Sequence, residues 1–232
     1  MSFLPIVLGV RRASDAENAL SSDRNKRRAQ IQKTLERDDY ACRFCGFRAL
    51  KYQHAVPYAG AGGDSFVTAC GFCEQCLLLD RAGLYGSGVL AWLPEIAQAE
   101  LNHIMRAAYV ALGGNDQPLA AAAARARDAL LARRQEAKKR IGSDDPLMLA
   151  TVLYESLEDN EYARAPAALE GIRLLPLDRH VVRRPEGDVN EFSHMVDYWR
   201  SPAGPYGKLP VETWGEMFRA VQGVEAPAEG QG

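Results

Sequence analysis

The sequence CRFCG at residues 42–46 and the sequence CGFCEQC at residues 70–76 contain all five cysteines of the chain. In each, two cysteines are separated by two residues, a turn that lets two thiolates face one metal ion. A clustered, odd-numbered set argues for metal binding rather than for disulfides and indicates a reducing compartment. Because zinc prefers four such ligands in a tetrahedron, the spacing predicts a structural Zn²⁺ site formed by Cys42, Cys45, Cys70 and Cys73.

Cys76 extends the second pair to C-x-x-C-x-x-C and leaves two interpretations open. It is a free thiol at the start of the apolar run that follows, or it replaces Cys73 as the fourth ligand. The symmetry of the two C-x-x-C pairs favours the free thiol. A third interpretation, five reduced cysteines that only fill a core, is disfavoured because chance rarely produces paired spacing. Four cysteine ligands leave no open position for a substrate, so the metal is expected to stabilise the fold.

The composition is that of an ordinary globular protein. Of 232 residues, 47% are hydrophobic and 25% are charged, which excludes collagen-like, wholly disordered and small disulfide-scaffold classes. Lys and Arg total 28 against 30 for Asp and Glu, so no global field attracts the chain to DNA or to an anionic membrane. The apolar runs are too short to span a bilayer, and no secretory signal is recognised, so a cytoplasmic protein is expected.

Helical patterns lie on both sides of the cysteine region. We expect a helix capped by Ser21, Ser22 or Asp23, a helix over 94–112 that begins at Pro94, a helix over 119–141 that ends before Gly142, and a further helix capped by Ser143 or Asp144. The helical signal weakens between Ala167 and Leu177, and 183–190 is expected to be a loop.

These patterns predict an α+β fold in which a small zinc-stapled ββα core is surrounded by several helices. We divide the chain into an N-terminal helical segment (1–40), the zinc core (41–93), a helical region (94–182) and a Pro/Gly-rich C-terminal tail with room for short helices (183–232).

The segment between the cysteine pairs contains Gln53-His54-Ala55-Val56-Pro57 and then Gly62-Gly63-Asp64-Ser65-Phe66. It resembles the ββα-metal core of HNH endonucleases, in which a histidine before x-x-Pro is the general base. The resemblance places His54 at the base position, but Gln53, Ser65 and Glu74 stand where the family has a metal ligand, an Asn and a final His. A neutral Gln is a poor ligand for a divalent cation, so catalysis is not expected. The alternative is a metal-dependent nuclease that uses His54 and Glu74.

A second resemblance covers about residues 30 to 177. The sequences YACRFCGF (40–47), FVTACGFCEQC (66–76), LPEIAQAELN (93–102) and IRLLP (172–176) resemble the IcmJ (DotN) family of type IVB secretion systems. The resemblance implies a zinc-containing, catalytically silent subunit of the coupling complex for effector protein secretion. It further implies docking on the cytoplasmic C-terminal extension of the coupling-protein ATPase and on other subunits, with location at the inner membrane only through that complex. No small-molecule substrate is implied.

Basic residues are concentrated in the predicted helix over 119–141. A polyanion site or a docking site for an acidic partner segment would use them, but a solvated helix face is the more common cause of such a pattern. A nucleic-acid-binding zinc protein without catalysis therefore remains a further alternative. The residues are Arg125, Arg127, Arg133, Arg134, Lys138, Lys139 and Arg140.

Overall fold

The computed structural model describes residues 3–10, 23–61, 64–162, 164–184, 186–209 and 213–214. The described residues form short antiparallel sheets and helices, which confirms the α+β class. In chain order the elements are α1 (Arg24–Arg37), β1 (Gln53–Ala61), β2 (Asp64–Cys70), α2 (Gly71–Leu77), α3 (Leu79–Leu84), β3 (Gly88–Trp92), α4 (Gln98–Leu112), α5 (Gln117–Ala132), α6 (Arg134–Ile141), α7 (Pro146–Thr151), a π-helical turn (Val152–Ser156), α8 (Asp159–Tyr162), α9 (Ala165–Ala168), β4 (Ile172–Pro176), β5 (Val181–Arg184), β6 (Gly187–Asn190) and α10 (Phe192–Arg200).

Strands β1 and β2 form an antiparallel hairpin that leads directly into α2, the strand–strand–helix order expected of the core. Helix α1 is fastened to this hairpin by Asp38, whose carboxylate accepts a hydrogen bond from the backbone N–H of Thr68 at 2.8 Å. The same carboxylate pairs with Arg37 and Arg43. These interactions hold the pKa of Asp38 below its ordinary value despite burial. Helix α1 itself begins after Asp23, whose side chain caps it, as one of the three expected caps.

The buried apolar side chains form two neighbouring clusters. The first surrounds the cysteine pairs and includes residues of α2, α4 and α10, among them Leu101, Met105 and Met195. The second joins α3, α7 and the β3–β4 sheet through side chains such as Leu79 and Leu90. The β3–β4 pairing crosses the boundary that we predict at residue 93, because Trp92 lies opposite Ile172. The four-part division of the chain stays a prediction.

Residues 3–10 form an extended segment that runs across both clusters. The N–H of Leu4 donates to the carbonyl of Arg43, and the N–H of Gly9 donates to the carbonyl of Cys76. At the far end, the backbone of Val10 exchanges two hydrogen bonds of 3.1 Å with the hydroxyl of Tyr162. The sequence pattern gave no indication of this segment, because its hydrogen bonds go to residues far along the chain.

The long helices differ from their predicted bounds: the helix expected from residue 119 begins at Gln117, and two further differences have an identifiable cause. The helix expected from Pro94 begins at Gln98, because Arg173 binds the carbonyl of Ile96 and keeps the preceding residues in a turn. The single helix expected over 119–141 is broken at Arg133. The Arg133 backbone and guanidinium both hydrogen-bond to the backbone of Trp92, so tertiary contacts override a strong helical pattern there.

Other expectations in the C-terminal half are corrected by the structure. The cap of α7 is Asp145 rather than Ser143 or Asp144, since the Asp145 carboxylate accepts from the N–H of Leu147. The weakly helical stretch before Leu177 contains strand β4, and the loop expected over 183–190 belongs to the β5–β6 hairpin. The stretch 201–209 is a series of turns, and the tail from residue 215 onward lies outside the described residues.

In the part of the chain that the structure describes, no helix combines the length and the apolar character needed to cross a membrane.

Candidate metal centre

The sulfur atoms of Cys42, Cys45, Cys70 and Cys73 converge in the first core cluster, all within 4.8 Å of one another. All four side chains are buried and none forms a disulfide. The Sγ atoms of Cys45 and Cys70 are 3.7 Å apart. In a tetrahedron with Zn–S bonds of about 2.3 Å, two sulfurs are separated by about 3.8 Å, so this donor set has the size of a tetrathiolate metal site.

The first cysteine pair lies on a tight turn after α1. The N–H of Gly46 donates to the carbonyl of Cys42, and the N–H of Cys42 donates to the carbonyl of Phe47. Gly46 has a φ of +77°, a conformation that glycine adopts without strain. The turn is also held from β1, because the Gln53 amide donates to the carbonyls of Tyr40 and Phe47 at 2.9 and 2.8 Å. Gln53 therefore supports the cysteine turn. This role explains why a neutral amide stands where HNH endonucleases have a metal ligand.

The second pair lies where β2 ends and α2 begins. Cys70 is the last residue of the strand, and Cys73 lies in the first turn of the helix. Strand residue Gln53 lies opposite Cys70 in the hairpin, so the β1–β2 register places the second pair beside the turn that carries the first. The hairpin thus brings Cys45 and Cys70 together, although 24 residues separate them in the sequence.

Helix α4 supplies hydrogen-bond donors to the sulfurs. Asn102 Nδ2 lies 3.3 Å from Cys73 Sγ, and Arg106 Nη2 lies 3.2 Å from Cys70 Sγ. Hydrogen bonds from the neighbouring cysteines, together with the Arg106 charge, hold the pKa of Cys70 well below its ordinary value. Hydrogen bonds with the neighbouring cysteines, that with Cys42 above all, raise the pKa of Cys73 above its ordinary value. A divalent cation would remove the remaining protons, since thiolates are the ligating form.

Sequence reasoning missed Asn102 and Arg106. With Gln98 they recur every four residues and therefore follow one face of α4, where they are buried among apolar side chains. Polar residues at helical spacing inside an apolar stripe are the signal that identifies them, because a buried polar group needs a partner.

Cys76 lies outside the group of four. Its side chain belongs to the second apolar cluster, and its Sγ lies 3.3 Å from the carbonyl of Phe72. Burial raises the pKa of this thiol above its ordinary value. The structure thus places Cys76 where the free-thiol interpretation has it, while ligation by the other four stays a prediction.

The residues of the alternative nuclease site lie close to each other beside the β1–α2 contact. His54 Nδ1 is 3.5 Å from Glu74 Oε2, and the His54 ring centroid is 5.4 Å from that of His180. Burial lowers the pKa of His180 to about 4, so this ring is neutral near pH 7. Among the described residues, the four cysteines are the one group of three or more His, Cys, Asp or Glu side chains placed to hold a cation. The side chain of Ser65 lies outside the described part.

The basic residues of α5 and α6 are mostly paired within the chain. Asp144 contacts Arg134 and Lys138, and Glu136 contacts Lys139 and Arg140. The remaining pairs are Arg127 with Asp128 and Arg133 with Glu95. This arrangement favours the solvated, internally paired helix face over a polyanion site.

A hairpin and a helix that bring four buried cysteines together make this an α+β protein with a cysteine cluster that could hold a metal ion. Type 4 apparatus protein DotN of Legionella pneumophila subsp. pneumophila is 35% identical over 153 residues, which are 62% of this chain and 71% of DotN. The chain therefore belongs to the DotN (IcmJ) family and is a type IV secretion system component. No protein-family model matches it.

Proposed function

We propose that this protein is a non-enzymatic subunit of a type IVB coupling complex. It binds the cytoplasmic C-terminal extension of the coupling-protein ATPase, and through that complex it resides at the cytoplasmic face of the inner membrane. The observation that carries the proposal is the 35% identity to DotN over 71% of that protein. We further propose that Cys42, Cys45, Cys70 and Cys73 hold one Zn²⁺, which stabilises the fold.

An exposed apolar stripe supports a docking role. Helices α3 and α7 are in such close contact that a Cβ on Gly83 would collide with the backbone nitrogen of Leu147. Beside this contact, Leu84, Met148 and Val152 are 64%, 57% and 48% exposed. Met148 and Val152 are four residues apart along consecutive helical turns, which suits the apolar face of a partner helix. Exposed apolar side chains grouped in this way are typical of protein interfaces.

Co-purification tests this proposal. The full chain and the tagged C-terminal extension of the coupling ATPase are coexpressed, and we expect a stable complex. Met148→Asp is expected to weaken binding roughly 10-fold or more, since a charge replaces an apolar contact. Leu50→Asp is the matched control. Leu50 is also an exposed apolar residue, at 60%, but its backbone N–H donates to Tyr198 of α10 rather than to α3 or α7. A wild-type protein that never co-purifies with the extension would refute the docking role.

The contact between His54 and Glu74 justifies one test of the nuclease alternative. We expect no nicking of supercoiled plasmid in Mg²⁺ or Mn²⁺ by zinc-quantified protein, because Gln53 donates to the cysteine turn instead of binding a cation. Cutting that disappears in His54→Ala would overturn the non-enzymatic assignment. DNA binding that weakens steeply with salt, without cutting, would instead favour the nucleic-acid-binding alternative.

A further inference from the structure

Arg106 is a buried cation with no carboxylate partner among the described residues. Its side chain is fully buried, and within the described ranges no carboxylate lies at ion-pair distance from it. Its polar contacts include Cys70 Sγ at 3.2 Å, His103 Nδ1 at 3.2 Å and the hydroxyl of Tyr206. Its Nε is buried without a hydrogen-bond partner. Removing a guanidinium from water is costly unless a negative charge compensates it, and among the described residues the sulfur cluster is the group in contact that can supply that charge.

The charge of a zinc tetrathiolate supplies that compensation. Four thiolates and one Zn²⁺ carry a net charge of about −2, which is itself costly to bury without donors and a nearby cation. We propose that Arg106 is a positioning residue of the metal centre, a proposal that rests on the metal site proposed above. Its guanidinium donates to Cys70 Sγ and compensates the charge of the tetrathiolate. Metal and guanidinium then stabilise one another in the same buried volume.

Aromatic rings and a histidine hold the Arg106 side chain in place. Its guanidinium carbon lies 3.7 Å from the centroid of the Phe47 ring, with the rings of Phe72 and Trp199 at 5.3 and 5.6 Å. Arginine only donates hydrogen bonds, so His103 Nδ1 is the acceptor, and His103 Nε2 carries the proton that it donates to the Cys45 carbonyl at 2.7 Å. The guanidinium is therefore fixed from both cysteine pairs and from three aromatic faces.

A second donor on the same helix acts on the neighbouring sulfur. Asn102 Nδ2 contacts Cys73 Sγ at 3.3 Å, and Asn102 Oδ1 accepts from Gln98 Nε2 at 3.0 Å, which fixes the amide orientation. Asn102 carries no charge, so its removal tests the loss of a single N–H···S hydrogen bond. Arg106 removal tests the loss of a hydrogen bond together with the compensating charge.

The test compares Arg106→Met, Arg106→Lys, Asn102→Ala and Phe47→Leu in the full chain. Zinc transfer to a chromogenic chelator gives the metal affinity, and the thiolate-to-cobalt charge-transfer band of the Co²⁺-loaded protein reports on the sulfurs directly. We expect Arg106→Met to weaken zinc binding 10- to 100-fold and to shift the band, as loss of the groups that orient metal ligands does. Arg106→Lys keeps the charge and is expected to restore most of the affinity. Phe47→Leu removes an aromatic face of Arg106 but no charge, so we expect it to weaken zinc binding less than Arg106→Met does.

The outcomes separate the inference from the metal site on which it rests. A wild type that binds neither Zn²⁺ nor Co²⁺ would refute the metal site and the inference with it. A wild type that binds one Zn²⁺, together with an Arg106→Met variant of unchanged affinity and unchanged band, would reduce Arg106 to a packing residue. If Arg106→Met does not fold, Arg106→Lys decides, because a loss of affinity beyond 10-fold in that variant contradicts charge compensation.

Discussion

Cys70→Ser and Cys42→Ser are each expected to abolish stoichiometric zinc binding and to lower the melting temperature on the order of 15 °C. Each removes a ligand from the buried sulfur cluster, and the free energy of structural zinc binding is folding free energy. The first core cluster is built around these sulfurs, so its apolar contacts weaken when the site is lost. Metal content by mass spectrometry of the native protein and thermal unfolding followed by circular dichroism check this prediction.

Cys76→Ser is the matched control for the cysteine variants. Cys76 is as deeply buried as the other four, but its side chain belongs to the second apolar cluster and its Sγ lies beside the Phe72 carbonyl. A serine hydroxyl can donate to the same carbonyl, so we expect the zinc content to stay at one per chain with only a small change in stability. Loss of zinc from Cys76→Ser alone would mean that Cys76, rather than Cys73, is the fourth ligand.

Gly171→Ala is expected to destabilise the protein by about 2–4 kcal/mol, one of the largest effects available from a single methyl group. Gly171 has a φ of +83°, and a Cβ there would collide with the ring of Trp92. The Arg140 guanidinium packs on the face of that Trp92 ring, 3.8 Å from its centroid, and holds it in place. The strain and the clash act together where β4 begins beside β3.

Gly142→Ala isolates the backbone contribution to that effect. Gly142 has a similar φ of +80°, but a Cβ there would meet nothing within 4 Å. We expect a cost of about 1 kcal/mol, the usual strain of an alanine in the left-handed region. Urea unfolding of the zinc-loaded variants measures both. Equal costs for Gly171→Ala and Gly142→Ala would show that the Trp92 ring moves aside freely.

Local sequence signals predicted the fold class and the cysteine group better than the element bounds. The C-x-x-C spacing is a local constraint, and the four sulfurs it singles out do lie together. The caps and breaks depended on distant partners: Arg133 interrupts a helix because it binds Trp92, and Arg173 delays α4 by holding Ile96. Such contacts cross 40 or more residues and leave no trace in helical periodicity.

The side chains that donate hydrogen bonds to the sulfur atoms could not be predicted from the sequence. Cysteine spacing predicts candidate ligands, but it does not tell which distant side chains approach them. Arg106 lies 36 residues from Cys70 and reaches it only because α4 packs against α2 and the hairpin. A pattern search for apolar periodicity treats a charged residue at that position as exposed, whereas it is among the most deeply buried side chains.

The extended segment of residues 3–10 also determines the order in which this protein can complete its fold. The partner of Val10 is Tyr162, which is 152 residues further along the chain. At synthesis rates of about 5–20 residues per second, the hydroxyl that receives Val10 is made roughly 8 to 30 s after Val10 itself. Val10 thus leaves the ribosome long before its partner, and this end of the segment can complete its hydrogen bonds only after Tyr162 has been made.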